Sequence, residues 1–142
     1  MTEQIPANRA EFWQDFDSDP WHAYLGIRLL EQRENYGKLE LRPNATTPKG
    51  IGGSVHGGAL ATLVDVAALA AVHGKIGPAE QPAGTAELSL SYLRQAQGAR
   101  LICEAEIVKR GRQLAVADVR IFNDRDQLCC LGKVTYAFRA QA

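Results

Sequence analysis

Between Ala59 and Val72 only two side chains are polar, Thr62 and Asp65, in an otherwise apolar run. A helix that is apolar all round must be enclosed on nearly every side. The run therefore predicts one long buried helix, preceded by His56-Gly57-Gly58 and followed by the Gly74 to Gly84 loop, with His73 and Lys75 at the end where cations are favoured. Elsewhere the period is two. Ile27, Leu29, Leu39 and Leu41 alternate with charged residues around an Asn35-Tyr36-Gly37 turn, as in a half-buried hairpin. Four more alternating runs follow the helix, at about residues 85–94, 100–109, 113–123 and 128–139, with turns at Arg110-Gly111 and Asn123-Asp124. Ahead of the hairpin, Phe12, Trp13 and Phe16 recur at near-helical spacing over residues 7–17, and Asp19-Pro20 offers a cap and first-turn proline for a second short helix through Tyr24. Two strands, one long helix and four strands make an α+β chain with a mostly antiparallel sheet, curled to wrap the helix.

The 142 residues and 15.5 kDa suit one unit, with no repeat or linker, and residues 1–25 read as short helices packed on a domain spanning 26–142. Sixteen basic and sixteen acidic side chains cancel, so neither nucleic acid nor an anionic membrane is expected as a partner, and any anion must meet a local basic patch. The N-terminus lacks the basic start and apolar run of a signal peptide, so a cytoplasmic location is expected. Cys103, Cys129 and Cys130 show no CxxC spacing and read as small core hydrophobes. His22 and His73 read as surface or helix-end residues.

Candidate chemistry concentrates at the helix. Its first N–H groups lack intrahelical partners, and Gly57 and Gly58 let a ligand approach them, as an oxyanion hole requires; a mere loop-to-helix turn is the other reading. Asp65 among apolar neighbours needs a partner or a proton, and suits a general base or nucleophile; a place on an exposed stripe, or capping of a neighbouring strand, is the alternative. Thr62 shares its face and is either a hydrogen-bond partner or a satisfied core hydroxyl. His56 and Asp65 stand nine residues apart, about half a turn out of phase and about 13.5 Å along the axis, so one helix turns them opposite ways. Two copies with antiparallel helices would bring one residue of each to a shared site.

The segments VHGGALATLVDVAALA, TAELSLSYLRQA and KRGRQLAVADVRIFN, in this order of elements, resemble the hotdog-fold acyl-CoA thioesterases, in the branch typified by the phenylacetate-degradation enzyme. The likeness spans about Gly26 to Phe138. It implies a curved sheet around the central helix, joined by a second subunit into a homodimer and commonly a homotetramer. It further implies Asp65 as the catalytic carboxylate acting across the dimer interface, Gly57 as the backbone oxyanion donor, His56 as the residue holding the thioester and Thr85 as the hydroxyl that orients water. Coenzyme A would meet Gly58, the Tyr92 to Gln97 segment with Arg94, and the hairpin of Lys109, Arg110, Gly111 and Arg112. Where the family often has an amide, six positions before the histidine, this chain has Gly50, with Ser54 nearby as a substitute. No metal or other cofactor is expected. A non-catalytic acyl-CoA binding module and a hydratase on the same fold are the rival readings.

Overall fold

The computed structural model describes residues 12–139. A single six-stranded antiparallel sheet runs in the order β1-β2-β4-β5-β6-β3. Its strands are β1 (Ile27–Arg33), β2 (Tyr36–Leu41), β3 (Pro82–Tyr92), β4 (Leu101–Arg110), β5 (Leu114–Phe122) and β6 (Leu128–Phe138). The short helix α1 (Pro20–Leu25) precedes β1, and the 17-residue helix α2 (Gly57–His73) lies between β2 and β3. No helix among the described residues is long and apolar enough to cross a membrane.

The helix and sheet expectations hold, with local shifts. Asp19 caps α1 through Trp21 and His22 N–H, as expected, and Gly26 ends it at φ +90. The first hairpin turns one residue earlier than expected, because Arg33 pairs with Tyr36 and Asn35 takes the left-handed φ of +60. The helix expected over residues 7–17 lies partly outside the described residues; residues 12–14 are helical and a 3-10 turn follows at Phe16–Ser18.

α2 lies on the concave face, and small residues bring it close. A Cβ on Gly37 of β2 would stand 2.7 Å from Ala70 Cβ and 2.9 Å from Ala71 N, and one on Gly132 of β6 would stand 2.9 Å from Val64 Cγ1. Leu39, Leu41, Leu101, Cys103, Ala105, Val119, Ile121 and Val134 fill the space beneath. All three cysteines are free and buried there, as expected, and burial pushes the Cys130 thiol up to about 12. The sheet leaves one stripe of α2 partly open, running through Ala61, Thr62, Asp65 and Leu69.

Of the two histidines read as surface or helix-end residues, His73 does stand at the end of α2 and is half-buried, whereas His22 departs from expectation. His22 is buried, with Nδ1 2.8 Å from the Phe16 carbonyl oxygen and its ring against Phe16 and Phe12. His73 accepts Trp13 Nε1–H at Nδ1 and lies 3.0 Å from Tyr136 OH through Nε2, which ties the chain ahead of α1 to the end of α2. Aromatic neighbours, invisible to local pattern, drew the His22 ring inward.

The C-terminal end of α2 is closed by Arg110. Its guanidinium donates to both Glu80 oxygens at 2.9 Å, to Asn35 Oδ1 at 2.8 Å, and to the carbonyls of Val72 and Lys75 at 3.0 and 2.8 Å. The hydrogen bond from Arg110, helped by Gly77 N–H, holds the Glu80 carboxyl below its ordinary range against the opposing effect of burial.

Two outcomes follow from this packing. Gly37→Ala forces the helix off β2 and lowers stability by about 1–3 kcal/mol in denaturant melts, the usual cost of an overpacked contact. Glu80→Gln strips Arg110 of a charged partner and costs about 1–3 kcal/mol near neutral pH. Because the folded pKa of Glu80 is depressed, its contribution is fully present above the unfolded value near 4.5 and is lost as pH falls through the lower folded value. Melts of natural chain and variant should therefore converge below that range; a gap that persists undiminished in acid contradicts this account.

Candidate active site

The front of α2 is built around His56. It is the N-cap, with φ −56 and ψ 138, and its ring Nδ1 accepts Gly58 N–H at 2.9 Å. Nδ1 is thus an acceptor, so in the neutral ring Nε2 bears the proton. His56 and Gly57 line a cleft of about 460 Å³, together with Leu60, Tyr92, Leu93 and Arg94. Gly58 N–H is engaged by His56, whereas Gly57 N–H has no backbone or side-chain acceptor among the described residues. This N–H stands at the positive end of a 17-residue helix.

Tyr92 explains why position 57 is glycine. Its hydroxyl donates to the Gly57 carbonyl at 2.7 Å, and its ring would lie 3.3 Å from any Cβ there. A Cβ at position 58 would likewise meet the His56 ring at 3.2 Å.

Two turns along α2, Asp65 accepts a hydrogen bond from Thr85 Oγ1 at 2.6 Å. Strict alternation would put Thr85 on the face opposite Leu88, Leu90 and Tyr92. The β3–β6 register shifts between Thr85 and Glu87, leaving Ala86 as the extra residue and turning Thr85 toward the helix. Thr62 does not touch Asp65; its hydroxyl donates to the Gly58 carbonyl at 3.2 Å. Nor is Asp65 enclosed on every adjacent side as the apolar run suggests. It is half-buried on the open stripe of α2, and Thr85 is exposed on the edge strand β3.

Within one chain these groups lie apart. Eight residues of helix separate Gly57 from Asp65, about 12 Å of rise, so a single carbonyl cannot touch both. The basic residues expected to meet coenzyme A divide in the same way. Arg94 lines the cleft at the start of α2, while Arg110 is bound to carbonyls at its end, about 25 Å of helix away. All three Arg110 guanidinium nitrogens already donate within the chain; Lys109 and Arg112 are exposed on the hairpin, with Gly111 half-buried between them.

At the position of the family's amide, Gly50 lines the cleft and donates its N–H to the Ser54 carbonyl. Ser54 Oγ donates to Ile51 O at 2.6 Å, so its proton is already placed. The cleft also takes in Gln95, within the expected Tyr92 to Gln97 segment, and Ile51, which was not singled out; the glycines after Ile51 were the available signal, since Gly52 and Gly53 both have positive φ. Among the described residues no three His, Cys, Asp or Glu side chains converge as metal ligands would.

This geometry has relatives. A family model described as the thioesterase superfamily matches residues 52–130, more than half of the chain. A Halobacterium salinarum protein whose name proposes an esterase is 34% identical over 109 residues, covering 73% of this chain and 70% of its own. The medium/long-chain acyl-CoA thioesterase YigI of Escherichia coli is 27% identical, covering 82% of this chain and 84% of its own. The structure of the PaaI protein from the phenylacetic acid degradation operon of E. coli superposes with a TM-score of 0.77 at 22% identity, over 94% of this chain and 96% of that one. A helix wrapped by a curved six-stranded antiparallel sheet, and a family model covering the helix and the strands around it, place this chain in the thioesterase superfamily as a hotdog-fold thioester hydrolase.

Proposed function

We propose that the protein hydrolyses acyl-CoA thioesters to a free acid and coenzyme A, at a site completed by a second copy of the chain. The observation that carries this reading is the Thr85–Asp65 hydrogen bond on the open edge of the molecule, about 12 Å along α2 from the donor it must work with. β3 is an edge strand of 11 residues pairing only with β6, a long unpaired edge of the kind that invites another strand. An antiparallel pairing of two β3 edges about a two-fold axis between Leu88 and Ser89 sets Thr85 against the partner's Tyr92. Asp65 then faces the partner's Gly57, and the open stripe of α2 is covered and dried. The named activity of the YigI relative supports the acyl-CoA substrate. Apolar Val55, Leu60 and Leu93 in the cleft suit an aromatic or a medium- to long-chain acyl group.

In this site Asp65 takes a proton from water while Thr85 holds its other oxygen in place. The water oxygen attacks the thioester carbon, and the oxyanion is met by Gly57 N–H and by the Nε2–H of His56, both supplied by the opposite subunit. The C–S bond then breaks, coenzyme A leaves as thiolate, and the proton held by Asp65 neutralises it.

With a panel of acyl-CoAs and a thiol-trapping dye, Asp65→Asn should slow thiol release by about 10²–10⁴-fold, the usual worth of a general base. Equal rates in variant and natural chain would remove Asp65 from the chemistry and favour a binding module. Subunit sharing has its own check. Asp65→Asn and His56→Ala chains, each feeble alone, should regain activity when unfolded together and refolded as a mixture; no gain over the separate samples would mean that each chain builds its site unaided.

A further inference from the structure

Five of the nine residues from Gly50 to Gly58 are glycine, and four of the five are held to glycine by the backbone or by a neighbour. Gly52 and Gly53 take φ of +65 and +77, the left-handed region that a side chain disfavours. Gly57 and Gly58 are crowded, since a Cβ would meet the Tyr92 ring at 3.3 Å and the His56 ring at 3.2 Å. Gly50 fits neither case. Its φ is −107, and a Cβ there would rest in ordinary contact, 3.4 Å from His56 Cα, 3.5 Å from Ser54 Oγ and 3.6 Å from the Val55 carbonyl oxygen. What the missing side chain leaves is room, and Gly50 lines the cleft that holds Gly57.

The room does not collapse, because the loop around it is pinned. Gly50 N–H donates to the Ser54 carbonyl at 2.7 Å and His56 N–H to that of Pro48 at 3.0 Å, so the two arms of the loop run antiparallel through the Lys49–Val55 bridge. Ser54 Oγ ties the turn between them to the Ile51 carbonyl at 2.6 Å. The loop is tethered to the segment after β3 as well, by Val55 N–H to Ala96 O and Gln97 Nε2 to Gly52 O, both at 2.9 Å. A gap walled by backbone fixed on both sides keeps its shape.

The walls say what fits. Ile51 is 81% exposed and Leu93 56%, and both line the cleft with Val55 and Leu60. Large apolar side chains on a rigid rim gain from being covered by hydrocarbon, and the amide-bearing arm of coenzyme A offers them less. Depth is set by His56. Its Cα borders the space at Gly50 and leads directly into the peptide whose N–H is the open donor at Gly57. The room is therefore level with the reacting carbonyl and not at the far end of an acyl chain.

Resting on the acyl-CoA reading above, we infer that Gly50 sets acyl-group specificity by admitting bulk on the carbon bonded to the thioester carbonyl, an aromatic ring or an α-branch. Bulk further along the acyl chain is not read at this position.

The test follows thiol release from three isomeric substrates, hexanoyl-, 2-methylpentanoyl- and 4-methylpentanoyl-CoA, and from benzoyl-CoA, by the natural chain, Gly50→Ala and Gly50→Val. Gly50→Val should lower kcat/KM for 2-methylpentanoyl- and benzoyl-CoA about ten- to a hundredfold relative to hexanoyl-CoA, the range over which a pocket discriminates a methylene-sized change. Gly50→Ala should fall in between, and 4-methylpentanoyl-CoA should follow hexanoyl-CoA in both variants. If Gly50→Val does not fold, the ratio in Gly50→Ala decides alone and must fall in the same sense. Ratios unchanged from the natural chain overturn the inference, as do equal losses on all four substrates or a selective loss of 4-methylpentanoyl-CoA. Thiol release from none of them would sink the hydrolytic reading by itself. The same four compounds, titrated by calorimetry, then still decide the role of Gly50: Gly50→Val must weaken the α-branched and aromatic members selectively, and equal weakening of all four overturns it.

Discussion

Enclosing an apolar helix of 17 residues with a single sheet requires the sheet to curl and the helix to sit very close, and every other feature of this protein is arranged around that requirement. Side chains on α2 meet glycines on the sheet, Ala70 and Ala71 over Gly37, and Val64 over Gly132. Small residues on both sides cost little side-chain entropy and allow backbone-to-backbone approach. Six strands still cannot close completely around the helix. The stripe through Thr62, Asp65 and Leu69 is left at the edge, beside β3, and that is where the polar chemistry of the helix lies.

At its other functional point the helix uses its own terminus. His56 spends its Nδ1 lone pair on Gly58 N–H, which both caps the helix and settles which ring nitrogen is left as donor. Gly57 N–H stays without a protein partner, while Tyr92 grips the carbonyl of the same residue. One glycine therefore has a fixed orientation and an open donor, the two properties an oxyanion site needs.

Charge in this molecule is mostly settled internally. Glu40 lies buried between Arg42 and Arg100, and both hold its carboxyl below the ordinary range against burial; Glu80 does the same work with Arg110 at the end of α2. Composition could only say that recognition had to be local, since the total charge is zero.

Much of this was legible in the order of residues. The buried helix, the alternating strands, the Asp19 cap and the odd carboxylate at Asp65 are written in local periodicity and capping chemistry, which depend on neighbours three or four positions away. Other features depend on residues far apart in sequence, and no local pattern carries them. The extra residue at Ala86, which turns Thr85 onto Asp65, is decided by pairing with β6, and the inward fate of Arg110 by Glu80, Asn35 and two helix carbonyls. His22 was drawn inside by Phe16, and Arg94 and Arg125 line one cleft because two loops distant in the chain border it. Sequence alone determined which elements form and that a carboxylate must sit against the helix; tertiary structure decided which side chains reach one another, because register and loop closure are settled only when the whole sheet pairs.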